Sequence, residues 1–172
     1  MCIEITSRYI HDIISKIRDT LELKEKPIKV ENLHFTLAFL GEIDSSDRVM
    51  AALQRVKMEP FHITLSGLGA FPSAKNPRIL WMNTTHGSES LIQLAHTIQE
   101  SLMAINYYTP TKKFKPHLTI CRIKHETNFG NKLEEFSNES FHSQSITKFK
   151  LKQSVLDSKG VIYSDLGEVR LG

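Results

Sequence analysis

Asn32-Leu33-His34-Phe35-Thr36-Leu37-Ala38-Phe39-Leu40 and Lys115-Pro116-His117-Leu118-Thr119-Ile120-Cys121-Arg122-Ile123 are two stretches with one pattern, His-x-Thr set in an apolar run. Side chains alternate across a strand, so His and Thr at i and i+2 share a face, while Phe35 and Leu37, or Leu118 and Ile120, turn to the other. Each strand then offers one imidazole and one hydroxyl in front of an apolar back. Two such strands brought together place two histidines and two hydroxyls around one spot, a layout suited to acid–base chemistry on a phosphate.

Working outward, short strands and helices alternate. Residues 1–6 read as a strand, and Ser7 as the cap of a helix carrying Ile10, Ile13, Ile14, Ile17 and Leu21 at helical spacing. Pro27 breaks the pattern, and residues 28–40 read as a strand bearing the first motif. Ser45 to Asp47 open a second helix with Val49, Met50, Leu53 and Val56 on one side, stopped by Pro60. Residues 61–66 alternate as a strand, a Gly/Pro-rich loop spans Gly67 to Pro77, and Arg78 to Met82 form another strand.

The second half repeats the theme. Ser88 opens a helix with Leu91, Leu94, Ala95, Ile98, Leu102 and Ile105 in register. Pro110 and Pro116 bracket the basic stretch Lys112-Lys113-Phe114-Lys115, whose lysines suit an anionic partner or a solvated loop equally well. A short helix is expected at 130–137, then two long strands, 142–156 and 161–169, around a turn at Asp157-Ser158-Lys159-Gly160. Hairpin-length turns argue for an α+β fold with antiparallel sheets rather than a parallel doubly wound one. The expectation is a single domain over residues 1–172, built of two pseudo-symmetric lobes. Each lobe is an antiparallel sheet backed by helices and carries one motif, with the cleft between them.

Bulk properties are permissive. The chain has 172 residues, 40% of them hydrophobic, and a net charge of +3, which fits an anionic partner without demanding one. Its two cysteines, Cys2 and Cys121, have no CxxC or metal-finger spacing and read as reduced thiols. No apolar run approaches the ~20 residues of a membrane span, and Met1 to Ile5 lacks the regions of a signal peptide. The expectation is a cytoplasmic monomer without a membrane partner. With no HxxxH or HExxH set, neither a metal nor a cofactor is expected.

Of the eight histidines, His34 and His117 are set apart by their duplicate triplets. A third triplet, His62-Ile63-Thr64, is followed at once by the Gly-rich loop. Three equivalent sites cannot line a two-fold cleft, so His62 is read as rim. His96 is expected half-exposed, and His11, His86, His125 and His142 solvated. Phe39 and Phe114 read more readily as core than as walls for a nucleobase. Strict alternation puts Arg122 on the face away from His117.

Three runs carry a resemblance to a known family: His34 to Gly41, Phe71-Pro72 with Pro77-Arg78-Ile79-Leu80-Trp81, and Phe114 to Arg122. On these residues the chain resembles the 2H phosphoesterases, and within them the RNA 2′,3′-cyclic phosphodiesterases, also called 2′-5′ RNA ligases. The resemblance implies metal-independent opening of a terminal 2′,3′-cyclic phosphate to a 2′-phosphate, with His34 as acid on the 3′ oxygen and His117 as base for water. It also implies ATP-independent 2′-5′ joining of RNA ends. Thr36 and Thr119 would bind the phosphate oxygens, joined by Arg122 if the strand twists or ends there, and His62 would have no catalytic role. The partners implied are RNA ends bearing 2′,3′-cyclic phosphate, tRNA fragments among them. The alternatives are ADP-ribose 1″,2″-cyclic phosphate or a 2′-5′ oligoadenylate as substrate, or a non-catalytic RNA-binding module.

Overall fold

The computed structural model describes residues 1–7, 9–108, 113–158 and 160–172. Pro110 and Lys112 of the basic approach and Lys159 of the last turn lie outside them. In chain order the elements are β1 (Cys2–Glu4), α1 (Ile10–Thr20), β2 (His34–Thr36), α2 (Ser46–Leu53), β3 (Phe61–Phe71), β4 (Ile79–His86), α3 (Ser88–Met103), β5 (Leu118–Arg122), β6 (Ser140–Ile146), β7 (Lys148–Asp157) and β8 (Gly160–Arg170). Two four-stranded sheets result, in the orders β2-β1-β7-β8 and β5-β4-β3-β6, with the pairings antiparallel. This is the expected α+β architecture. The motif strands β2 and β5 are each an edge of their own sheet and lie against one another, so the motifs meet where the sheets join.

The helices form where apolar residues recur at helical spacing. α1 buries Ile10, Ile14 and Ile17, and α3 buries Leu91, Leu94, Ala95, Ile98 and Leu102. α2 is capped by Ser45, whose hydroxyl accepts from the Arg48 amide at 3.3 Å. One continuous apolar cluster joins all three helices to both sheets. Polar ties reinforce it: the Ser101 hydroxyl donates to the Ala52 carbonyl at 2.8 Å, and the Gln99 amide to the Leu37 carbonyl at 3.0 Å. The second bond fixes α3 to the chain leaving the first motif. No helix among the described residues is long and apolar enough to cross a membrane.

Several boundaries differ from the sequence expectations. α1 starts after Tyr9, and the Ser7 hydroxyl accepts the Tyr9 amide at 3.2 Å instead of capping the helix. α2 ends at Leu53, well before Pro60. The expected strand over 28–40 shrinks to His34–Thr36, after a 3₁₀ turn at Val30–Asn32, because its neighbour β1 spans three residues. The expected loop from Gly67 is strand as far as Phe71. Register shifts within β3, and a left-handed Gly67 (φ +64°), absorb the irregularity that reads as loop. The short helix near 130–137 is a 3₁₀ turn, Lys132–Phe136. The run 142–156 divides at Thr147 into strands of different sheets. Ile146 and Phe149 are both buried, and a spacing of three cannot keep both on one face of a continuous strand.

Candidate active site

β2 presents its residues as alternation requires: Phe35 is fully buried, while His34 is half-buried and Thr36 exposed on the opposite face. The His34 Nδ1 lies 2.8 Å from the Asn32 carbonyl oxygen. A carbonyl can only accept, so Nδ1 carries the proton and Nε2 is left with its lone pair. Burial pushes the His34 pKa below its ordinary value. The Asn32 carbonyl works against that shift, and the nearby Lys152 ammonium adds to it. The ring of Tyr163 meets His34 edge-on at 5.2 Å.

The second motif repeats the arrangement. His117 Nδ1 lies 2.7 Å from the Lys115 carbonyl oxygen, again two residues upstream. Phe71 meets its ring edge-on at 5.2 Å, and Trp81 lies at 6.3 Å. The Lys115 ammonium sits over the same two rings, 5.3 Å from Phe71 and 4.9 Å from Trp81. Gly69, paired across the strands with Trp81, leaves the room that the indole fills; a Cβ there would run into the ring.

Arg122 reaches the face of His117 and Thr119 through a bulge. Leu118 and Thr119 pair with Met82 and Trp81, whereas Cys121 and Arg122 pair with Leu80 and Ile79. Ile120 is the extra residue. It reverses the alternation, so Arg122 shares the side of Thr119 and strict period two fails.

His34, Thr36, His117, Thr119 and Arg122 line one cleft of about 660 Å³. One wall is Pro27, Ile28 and Lys29; the other is the end of the β7–β8 hairpin, with Val161, Ile162 and Tyr163. Lys152 also lines it, its side chain 14% exposed. The Lys152 ammonium holds Glu4 at 2.5 Å and Asp165 at 2.7 Å, and Lys150 holds the same two carboxylates at 2.8 and 2.6 Å. Burial opposes the charge on Lys152, but these carboxylates outweigh it and keep the amine protonated.

The remaining sequence expectations divide. His62 lies outside the cleft, exposed on β3 with Nδ1 3.1 Å from the Ser145 hydroxyl. His96 pairs with Glu100 at 3.2 Å and His125 with Glu25 at 2.9 Å, both exposed. His142 is corrected: it is half-buried on β6 with its Nε2 shut off from solvent, because alternate residues of that strand face inward. Phe39 is corrected as well. It is 72% exposed and lines the cleft instead of the core, while Phe114 packs against the core. Lys152 and Tyr163 were not found from sequence. They are brought in by a hairpin more than a hundred residues from the first motif, and no local pattern marks them. Among the described residues no group of three or more His, Cys, Asp or Glu side chains could hold a metal.

Comparison with known proteins bears on the family and the fold. The chain is 36% identical over 167 residues to an RNA 2′,3′-cyclic phosphodiesterase of Archaeoglobus fulgidus, covering 90% of this chain and 94% of that one. It is 34% identical over 177 residues to an Aquifex aeolicus protein of the same name, covering 97% and 94%. The fold matches Thermus thermophilus TT0787 with a TM-score of 0.79 at 23% identity, over 98% of this chain and 95% of that one. It also matches Escherichia coli LigT in complex with 3′-AMP, with a TM-score of 0.76 at 22% identity over 99% and 95%. Residues 7–150, which include both His-x-Thr strands and the bulge between them and Arg122, match the model of the 2′-5′ RNA ligase superfamily, and the chain belongs to that family.

Proposed function

We propose that this protein is an RNA 2′,3′-cyclic phosphodiesterase that converts a terminal 2′,3′-cyclic phosphate to a 2′-phosphate with two histidines and no metal. The observation that carries the reading is the matched pair His34 and His117. Both line one cleft, and each is anchored through Nδ1 to the carbonyl two residues upstream, leaving Nε2 for the substrate. In this reading His117 Nε2 takes a proton from water as the water oxygen bonds to phosphorus. His34, protonated, gives its Nε2 proton to the 3′ oxygen as the P–O3′ bond breaks. Thr36 and Thr119 donate to the non-bridging oxygens, and Arg122 balances their charge. The same displacement with a ribose hydroxyl in place of water would join two RNA ends through a 2′-5′ linkage without ATP. The protein would act as a single domain and a monomer in the cytoplasm, on RNA ends that include tRNA fragments.

The test is hydrolysis of a nucleoside 2′,3′-cyclic phosphate in EDTA, resolving the 2′- from the 3′-phosphate. The expected product is the 2′-phosphate, with kcat lowered by about 10²–10⁴-fold in His34→Ala and in His117→Ala. Absence of turnover on mononucleotides and on an RNA oligomer with a cyclic phosphate end would overturn the reading. Activity on ADP-ribose 1″,2″-cyclic phosphate or a 2′-5′ oligoadenylate would then redirect it.

A further inference from the structure

One wall of the cleft continues outward as a strip of positive charge. Residues 25–28 run alongside the end of β5 in the opposite direction. The Ile28 amide donates to the Ile120 carbonyl at 2.8 Å, and Cys121 Sγ lies 3.8 Å from the Lys26 carbonyl. The Glu25 carboxylate accepts the amides of Lys124 and His125 at 2.8 and 2.9 Å. The Glu25 side chain is turned in, 7% exposed, while Lys24 and Lys26 on either side of it are exposed. On the facing segment Cys121 and Ile123 are buried, so Arg122 and Lys124 stand outward. Lys29 and Arg122 lie at the inner end and line the cleft. Among the described residues no carboxylate pairs with Lys24, Lys26, Arg122 or Lys124, and Lys29 has Glu31 only at 3.9 Å. By contrast, Lys152, which also lines the cleft, is neutralised by Glu4 and Asp165, the two carboxylates it shares with Lys150.

The cleft and its approach therefore join two kinds of surface. Cations with no close carboxylate among the described residues run along 24–29 and 122–124, and Phe39, Val161, Ile162 and Tyr163 add apolar side chains to the lining. A ligand with regularly spaced negative charge on one edge and flat faces on the other fits this arrangement, and a single nucleic acid strand has that form. We infer that the protein prefers a strand of several nucleotides to a mononucleotide, with the phosphates upstream of the reacting end lying along Lys26, Lys124 and Lys24. The inference rests on the phosphodiesterase reading and adds the path by which the substrate enters.

It is tested by the variant K24E/K26E/K124E, with K24Q/K26Q/K124Q as a milder partner should charge reversal disturb folding. Binding of a labelled single-stranded RNA of roughly eight nucleotides, ending in a 2′-phosphate, is followed by anisotropy between about 50 and 200 mM salt. Turnover of a cyclic-phosphate oligomer is compared with that of a nucleoside 2′,3′-cyclic phosphate. Loss of three phosphate contacts is expected to weaken RNA binding about tenfold and to lower the salt slope by about 2. The ratio of oligomer to mononucleotide kcat/KM should fall with them. Unchanged binding and slope would overturn the strip, as would wild-type protein that binds anionic lipid vesicles through these lysines and not RNA. If the wild-type protein hydrolyses neither substrate, the phosphodiesterase reading fails, and the binding measurement still decides the strip.

Discussion

His34 is the residue on which the chemistry turns, because burial favours its neutral imidazole while the proposed role needs the imidazolium. Its free-protein pKa lies below the ordinary value near 6.5. The two histidines titrate as a pair, so a pH profile has the same two limbs whichever of them is the acid. A substrate whose bridging 3′ oxygen is replaced by sulfur leaves as a thiolate and needs no proton on its leaving group. With that substrate, turnover is expected to be largely restored in His34→Ala and not in His117→Ala, and the reverse pattern would exchange the two roles. The residue type and motif were legible in the sequence. The depressed affinity for a proton was not, since it comes first from burial and then from cations such as Lys152, which only folding supplies.

At the scale of the element, β3, β4 and β5 act together on His117. Gly69 admits Trp81, Trp81 and Phe71 flank His117, and Lys115 lies over both rings. Gly69→Val is expected to displace the indole and cost about 1–3 kcal/mol by overpacking. It should also lower kcat more than it raises KM, because the disturbed group is a reacting one. Chemical denaturation together with steady-state kinetics measures both, and an unchanged kcat would remove Trp81 from the positioning of His117. The sequence marked this glycine only as part of a loop. A strand that tolerates two glycines and three register shifts does so because its partners on either side supply the pairing. The bulge at Ile120 was equally hidden: the letters Thr-Ile-Cys-Arg do not say which residue is skipped, and the pairing with β4 decides it.

For the whole molecule, Glu25 ties the chain before the first motif to the chain after the second, across about a hundred residues. Burial would raise its pKa, but the amides of His125 and Lys124 and the His125 ring outweigh that and hold it at about 2. A carboxylate depressed on folding adds stability that is fully present above its unfolded pKa near 4.5 and is lost as pH falls through about 2. Glu25→Gln is therefore expected to cost about 2 kcal/mol at pH 7 and little near pH 2. Urea unfolding of both proteins at the two pH values checks this, and an equal difference at both would mean that the carboxylate charge is not involved.

The two His-x-Thr strands, their alternation, the helical spacings and the absence of a parallel-sheet pattern were determined by the sequence alone, because period and residue type are local properties. Local chemistry therefore named His34, Thr36, His117 and Thr119. It failed where a residue's place depends on a partner strand or on which side is buried: the division at Thr147, the exposed Phe39, the inward His142, and the side of the sheet on which Arg122 stands. Tertiary structure alone decided that the two motifs share one cleft, that Lys152 and Tyr163 line it, and that the cations beside β5 stand without close carboxylates while Lys152 is neutralised. The physical reason is that these depend on strand order and on burial, which are set by contacts between residues far apart in the chain.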